Sequence, residues 1–431
     1  MINPTNQLMT KNLLKIDYEK YSLPNGLQVI LYPDLSIPVV AVNLWYRVGS
    51  ANERNGKTGF AHLFEHMMFQ GSQNVPKEGH FKFIQEAGGS LNGSTSFDHT
   101  NYYETVPANY LELALWLESD RMGFMLPGLN QEKLDNQKDV VMNERRQRYE
   151  NQPYGLAWEK LFSNLFSQDH PYSWPTIGWM DDIAKFELDD VKKFFEKYYS
   201  PGNASLVIGG NFDRSNAQYL VEKYFGEING TTPIQEVIAP KQSLDKSKKI
   251  IYEDNVQLPR IYLAWHTVKA FHEHDAVLDL LSDILSSSKN SRLYKSLVFE
   301  KQIAQDISSF QYSGKLDGSF IIASTAKPGI TLEKIKDEIT KGIDELISKG
   351  LTENELMRAK NNIKSSYIFS LQKIDLITDH INHYNFYLDE PDSFLFDLSR
   401  YEQVTREQII DAAQKFLTKP NLELNIIPKT M

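Results

Sequence analysis

Two stretches of this chain, half its length apart, repeat one plan, and that repeat constrains the fold more than any other feature. Residues 261–265 follow Pro259 much as residues 39–44 follow Pro38, an offset of 221 (259 − 38). Asn203 and Asn421 each follow a helical pattern broken by proline and precede an apolar strand, an offset of 218 (421 − 203). Two ends agreeing to within three residues point to a duplicated domain. The boundary is expected between Gly230 and Lys249, a polar stretch with two prolines and several lysines that reads as a solvated linker. A length of 431 residues suits two or three cores better than one.

The first copy opens as a meander. Asn25-Gly26 is a tight-turn signal inside residues 21–32, and residues 39–48 are β-branched and aromatic, so they read as a strand. A helix follows. Residues 90–97 and 100–106 then read as strands joined by a turn at Asp98-His99. Helical patterns span 109–125, 131–149 and 190–199, the last stopped by Ser200-Pro201-Gly202-Asn203 before a strand at 206–208. Near the end, Thr405-Arg406-Glu407-Gln408 reads as a capping box, and the strand 422–427 follows Pro420.

Composition excludes several chemistries. A formal net charge of −10 argues against nucleic acid as the main partner, because phosphate binding needs a basic surface. With no cysteine there is no disulfide, thiolate zinc site or cysteine nucleophile, so any metal must sit on His, Asp and Glu. No run approaches the roughly 20 apolar residues of a membrane-spanning helix, and residues 1–17 have no clear apolar signal core. A cytoplasmic chain without membrane insertion is therefore expected, or a periplasmic one if an export signal has been removed.

The strongest chemical signal is His62-Leu63-Phe64-Glu65-His66. Residues four apart share a helix face, so both imidazoles can reach one metal ion from successive turns. Glu65 lies on nearly the same face, close enough to hold a water at that metal. Phe60, Ala61, Leu63, Phe64, Met67, Met68 and Phe69 make the helix apolar nearly all round, so it should be buried. An unpaired polar group there costs on the order of 2–7 kcal/mol, which a bound metal would relieve. H-x-x-E-H is the inverse of the H-E-x-x-H zinc peptidase order. A catalytic zinc takes three protein ligands and leaves a fourth place open. Glu144, on a predicted helix behind Val140 and Val141, is the favoured third ligand; Glu132, Asp139 and Glu150 compete, and spacing alone does not separate them.

Taken together, His62-Leu63-Phe64-Glu65-His66, Glu144 after a gap of 77 residues (144 − 66 − 1), Leu23-Pro24-Asn25-Gly26-Leu27, Gly59-Phe60-Ala61 and Gly88-Gly89-Ser90-Leu91-Asn92 resemble the pitrilysin/insulysin superfamily of zinc metallopeptidases. The resemblance covers essentially the whole chain and is to the short branch that includes mitochondrial processing peptidase and paired bacterial subunits. It implies an α+β fold of two homologous domains, each an antiparallel β-sheet flanked by α-helices, with the peptidase domain at 1–235 and a homologous domain lacking the zinc motif at 236–431. It implies one zinc ion per chain on His62, His66 and Glu144, with Glu65 as general base. It implies endopeptidase action on unfolded peptides enclosed in a chamber formed by two such chains. Asn92, Gly93, Ser94 and Thr95 look like the edge strand that pairs with the substrate main chain.

This sequence departs from the family pattern in two places. Gln137 stands where a second glutamate often lies, two turns before Glu144; it can orient a ligand or a water but supplies no charge. The arginine and tyrosine that complete members carry in the second domain fall here at Val298 or Phe299 and at Gln305. That implies a zinc-bearing subunit of a heterodimer whose homologous partner supplies both residues; a fully active homodimer would refute it. The alternative is a non-catalytic subunit that binds peptides or supports assembly. The remaining histidines read blandly: His272 and His274 flank a loop glutamate, His380 and His383 are three apart on a helix with no matching apolar setting, and His99 is a turn residue beside the expected cleft.

Overall fold

Near-continuous buried runs at 28–33, 39–46 and 204–210, with the partly alternating 100–107, build the centre of a six-stranded sheet. The computed structural model describes residues 14–230 and 234–429. Most of the expected signal-free leader and the start of the expected linker thus lie outside the described residues. The first sheet contains β1 (Glu19–Ser22), β2 (Gln28–Pro33), β3 (Val39–Tyr46), β4 (Ser90–Thr95), β5 (Thr100–Pro107) and β6 (Ala204–Gly210). Their spatial order is β1-β2-β6-β3-β5-β4. Asn25-Gly26 makes the β1–β2 turn, with Gly26 at φ 91°, a left-handed angle that glycine adopts freely.

The second sheet holds β7 (Lys248–Asp254), β8 (Arg260–His266), β9 (Ala304–Ser313), β10 (Gly318–Ala326) and β11 (Leu422–Pro428) in the order β7-β11-β8-β10-β9. This is the order β2-β6-β3-β5-β4 over again. The offsets of the matching strands, 221 for β3 and β8 (260 − 39) and 218 for β6 and β11 (422 − 204), are those seen in the sequence. The α+β plan of two sheets with flanking helices is therefore as expected. The sheets themselves are not wholly antiparallel. β2 pairs β6 in parallel, and β7 pairs β11 in parallel. Each of these pairs joins strands separated by most of a domain, a connection long enough for a parallel crossover.

Packing exchanges two segments across the linker. One compact unit takes residues up to 144, 175–237 and 368–396; the other takes 145–174, 238–367 and 397 onward. In the first unit the helices Phe60–Met67, Gly79–Glu86 and Leu111–Gly128 lie against the sheet, and helix Ile374–Leu388 packs on β3 and β6. Both faces of β3 are consequently covered. Asn43 and Trp45 face helix Ile374–Leu388, while Tyr46 meets Tyr102 and Tyr199. In the second unit helix Ala157–Leu165 packs on β8 and β11, and helices Asp275–Ser286 and Leu332–Lys349 carry the apolar residues of the core. Among the described residues, no helix is long and apolar enough to cross a membrane.

Candidate metal centre

Helix Phe60–Met67 uses two i,i+4 pairs on different faces. Phe60 packs on Phe186 at 4.0 Å and Phe194 at 5.2 Å, and Phe64 packs on Tyr199 at 4.2 Å, ring centroid to ring centroid. Two residues on, and so about 200° around the helix, His62 and His66 form the second pair, their rings 4.8 Å apart. The aromatic face fixes how the helix is rolled, and that roll aims both imidazoles to one side.

The start of this helix is held tightly. The Glu53 carboxylate accepts the backbone N–H of Gly59 at 2.9 Å and of Ala61 at 2.7 Å, satisfying donors that a helix N-terminus leaves unbonded. Gly59 has φ 89°, and a Cβ there would stand 2.6 Å from the Ile177 carbonyl oxygen, so glycine is required twice over. Thr58 gives its N–H and its hydroxyl to Asp182, at 3.1 and 2.8 Å.

Glu144 arrives on helix Gln131–Arg145, one residue before its end. The chain then widens into a π-helical turn, Arg146–Glu150, a feature frequent near functional sites. His66 Nε2 lies 3.3 Å from Glu144 Oε2, and His62 Nε2 lies 3.9 Å from the same oxygen. One ligand atom from each of the three residues falls within 4.8 Å of the others. Among the described residues this is the one such group of three or more. Ligands about 2.0–2.2 Å from a tetrahedral zinc stand roughly 3.3–3.6 Å from one another. The donor set, two imidazoles and a carboxylate, therefore suits zinc; the His66–Glu144 separation already matches, and the wider separations would close in around an ion. Of the competing carboxylates, Glu150 is bonded to Arg145, and Glu132 is exposed at the far end of the helix.

Glu65 is tied to the sheet. Its Oε2 accepts the Thr95 hydroxyl at 2.6 Å. Thr95 ends β4, and β4 is an edge strand whose ladder partner is β5. Asn92, Gly93, Ser94 and Thr95 thus lie on an open sheet edge beside Glu65. Gln137 is buried on the Glu144 helix, where its amide donates to Asn136 at 3.0 Å. In the second unit, Gln305 sits on edge strand β9 where the register against β10 slips, a β-bulge. Phe299 is 72% exposed, and Val298 packs against the second core.

Three contacts carry no signal in the sequence: Glu53 on the motif helix, Thr95 on Glu65, and Asp379 on the sheet. Asp379 accepts from Trp45 Nε1 at 3.2 Å and from Asn43 and Asn101 at 3.3 Å each. His99, read as a turn residue, does occupy the β4–β5 turn, and it also stacks on Trp45 with ring centroids 3.7 Å apart.

Comparison with known proteins gives concordant results. Residues 28–177 match the family described as Insulinase (Peptidase family M16), and residues 185–363 match the Peptidase M16 inactive domain. The chain is 32% identical over 361 residues to the zinc protease PqqE of Helicobacter pylori, covering 82% of this chain and 80% of that one. It is 25% identical to an uncharacterized zinc protease, YmxG, of Bacillus subtilis, covering 82% and 84%. The crystal structure of a protease from H. pylori superposes with a TM-score of 0.89 at 28% identity, covering 96% of this chain and all of that one. The periplasmic protease PqqL of Escherichia coli superposes at 0.78 and 17% identity, covering 96% of this chain but 48% of its own, a likeness of fold alone.

Proposed function

Because this chain belongs to peptidase family M16, the insulinase family, we propose that it is a zinc-dependent endopeptidase subunit acting on unfolded peptides, with 1–235 as its peptidase domain and 236–431 as a homologous domain. The observation that carries this reading is the convergence of His62 Nε2, His66 Nε2 and a Glu144 carboxylate oxygen beside Glu65. His62, His66 and Glu144 hold the ion, one per chain. Zinc, when bound there, supplies Lewis acidity that makes water nucleophilic near neutral pH and steadies negative charge on a carbonyl oxygen. Glu65 takes the proton of the attacking water and returns it to the nitrogen of the leaving amine. The main chain of Asn92–Thr95 pairs with the extended substrate, which sets the scissile bond against Glu65. Gln137, on the same helix as Glu144, orients a ligand or the water without adding charge.

A homologous partner subunit supplies the arginine and tyrosine that Val298, Phe299 and Gln305 do not, and closes the chamber around the peptide. The likeness to 48% of a longer protease chain supports such pairing. A second reading, a non-catalytic peptide-binding subunit, is favoured by those same three side chains and by the match of 185–363 to an inactive domain.

The test is hydrolysis of a mixed set of unstructured peptides by the purified chain, with and without a chelator, and with Glu65→Gln alongside. Chelator-sensitive cleavage lost in Glu65→Gln supports the zinc endopeptidase and, by making a homodimer sufficient, refutes the need for a different partner. Bound zinc without cleavage calls for reconstitution with a homologous chain. Inactivity of every such pair would favour the peptide-binding alternative.

A further inference from the structure

We propose that Gly93 and Thr95 are positioning residues for Glu65, so that the strand offered to the substrate also sets the attitude of the base. This deepens the reading above and rests on it. Residues two apart on a strand share a face, and Gly93 and Thr95 both present theirs to helix Phe60–Met67. At one end of Glu65, the Thr95 hydroxyl donates to Oε2 at 2.6 Å, within the range of charge-assisted O–H···O bonds. At the other end, a Cβ on Gly93 would lie 3.3 Å from Glu65 Cγ and 3.2 Å from Tyr102 Cδ1. The glycine leaves the groove in which the Glu65 stem lies; the threonine closes it.

The seat is rigid. β4 is in register with β5 from Ser90 opposite Thr105 to Thr95 opposite Thr100. On the opposite face of β4, Ser94 donates to Asn101 Oδ1 at 2.6 Å. Beneath Gly93, the fully buried Tyr102 ring is pressed by the Arg121 guanidinium, 4.1 Å from its centroid, and Arg121 is itself paired with buried Glu118. Neither β4 nor the floor under Glu65 can shift without breaking these contacts. A glutamate side chain has three rotatable bonds, so its carboxylate needs such an external reference to stay aimed.

Four proteins test this: wild type, Thr95→Val, Thr95→Ser and Glu65→Gln, in whichever assembly cleaves peptides. The expected result is that Thr95→Val lowers kcat about 10- to 100-fold, since a misplaced catalytic group costs that much, with KM within about twofold. Thr95→Ser should restore most of it. Zinc content, and the affinity of the metal-free proteins for an unstructured peptide followed by fluorescence anisotropy, should be equal in all four. Crystal structures of metal-free Thr95→Val and Thr95→Ser should show Glu65 rotated in the first alone. Wild-type kcat in Thr95→Val with Glu65→Gln inactive overturns the proposal, as does an effect on KM alone or an unmoved Glu65. Activity in Glu65→Gln instead overturns the assignment of the base.

Discussion

The His80 imidazole gives its Nε2–H to the main-chain carbonyl of Leu117 at 3.2 Å, from a position 1% exposed. A carbonyl only accepts, so Nε2 carries the proton and Nδ1 is the basic nitrogen. Burial chiefly, with the Arg121 charge second, pushes the His80 pKa down to about 3. An unfolded chain returns it to about 6.5. Below pH 6.5 the unfolded state therefore binds the proton that the folded state refuses, and stability falls as pH drops toward 3. The slope is about 1.4 kcal/mol per pH unit for this group. His80→Gln keeps a donor for Leu117 and removes the titration. Urea unfolding at pH 6 and pH 4 should show the wild type losing roughly 2–3 kcal/mol more than the variant. Equal losses would mean that His80 is not held neutral.

The three candidate ligands predict a metal dependence separable from folding. Phe60 and Phe64, not the histidines, hold helix Phe60–Met67 in the core. Glu144→Gln should thus leave a folded protein with the same far-ultraviolet circular dichroism. Its zinc affinity, measured by chelator competition, should fall by more than the roughly 10- to 100-fold that outer partners of a metal site cost. Zinc at about 100 times its dissociation constant should stabilise the wild type by about 2.7 kcal/mol, and the variant by far less at the same concentration. Stoichiometric, tight zinc in Glu144→Gln would move the third ligand to another carboxylate.

Glu53 predicts a longer-range effect on the same metal. Its carboxylate bonds Gly59 and Ala61 at the first turn, one residue before His62. Glu53→Ala leaves both donors unbonded and should cost about 1–3 kcal/mol in stability. Because the first turn then frays, His62 loses its aim, and zinc affinity should fall about 10- to 100-fold. Titration of the variant with zinc under conditions where it is fully folded reads this directly. A less stable Glu53→Ala with wild-type zinc affinity would show that the aromatic face alone sets the roll of the helix.

The local features were legible because their causes are local. Asn25-Gly26 turns, the β4–β5 hairpin turns at 96–99, and Thr405 with Gln408 closes a capping box, each from a few consecutive residues. His62 and His66 converge because helix geometry makes them converge. The parallel pairings of β2 with β6 and β7 with β11 were not legible: alternation marks a strand but does not name its partner. The same holds for helix Ile374–Leu388, which reaches back to the first sheet through Asp379, 336 residues from Asn43. Polar contacts over such separations leave no period or spacing to find.

That helix carries the last prediction. Asp379 accepts from Trp45, Asn43 and Asn101, and Asn101 in turn accepts the Ser94 hydroxyl at 2.6 Å. Trp45, Asn43 and Asn101 are each at most 4% exposed, so their donors have little water to turn to. Asp379→Ala should therefore cost about 1–3 kcal/mol. Its effect on function should differ in kind from that of Thr95. Ser94 lies on the face of β4 away from Glu65, so loosening Asn101 loosens that outer face while the β4–β5 ladder still holds Thr95 against the base. Peptide pairing depends on a strand already in place, because ordering it on binding costs affinity. Asp379→Ala and Asn101→Ala should each weaken peptide binding several-fold and raise KM while leaving kcat within about twofold. Anisotropy with the metal-free protein and steady-state kinetics measure the two halves. A fall in kcat at constant KM would instead mean that the network acts on Glu65 and not on the edge strand.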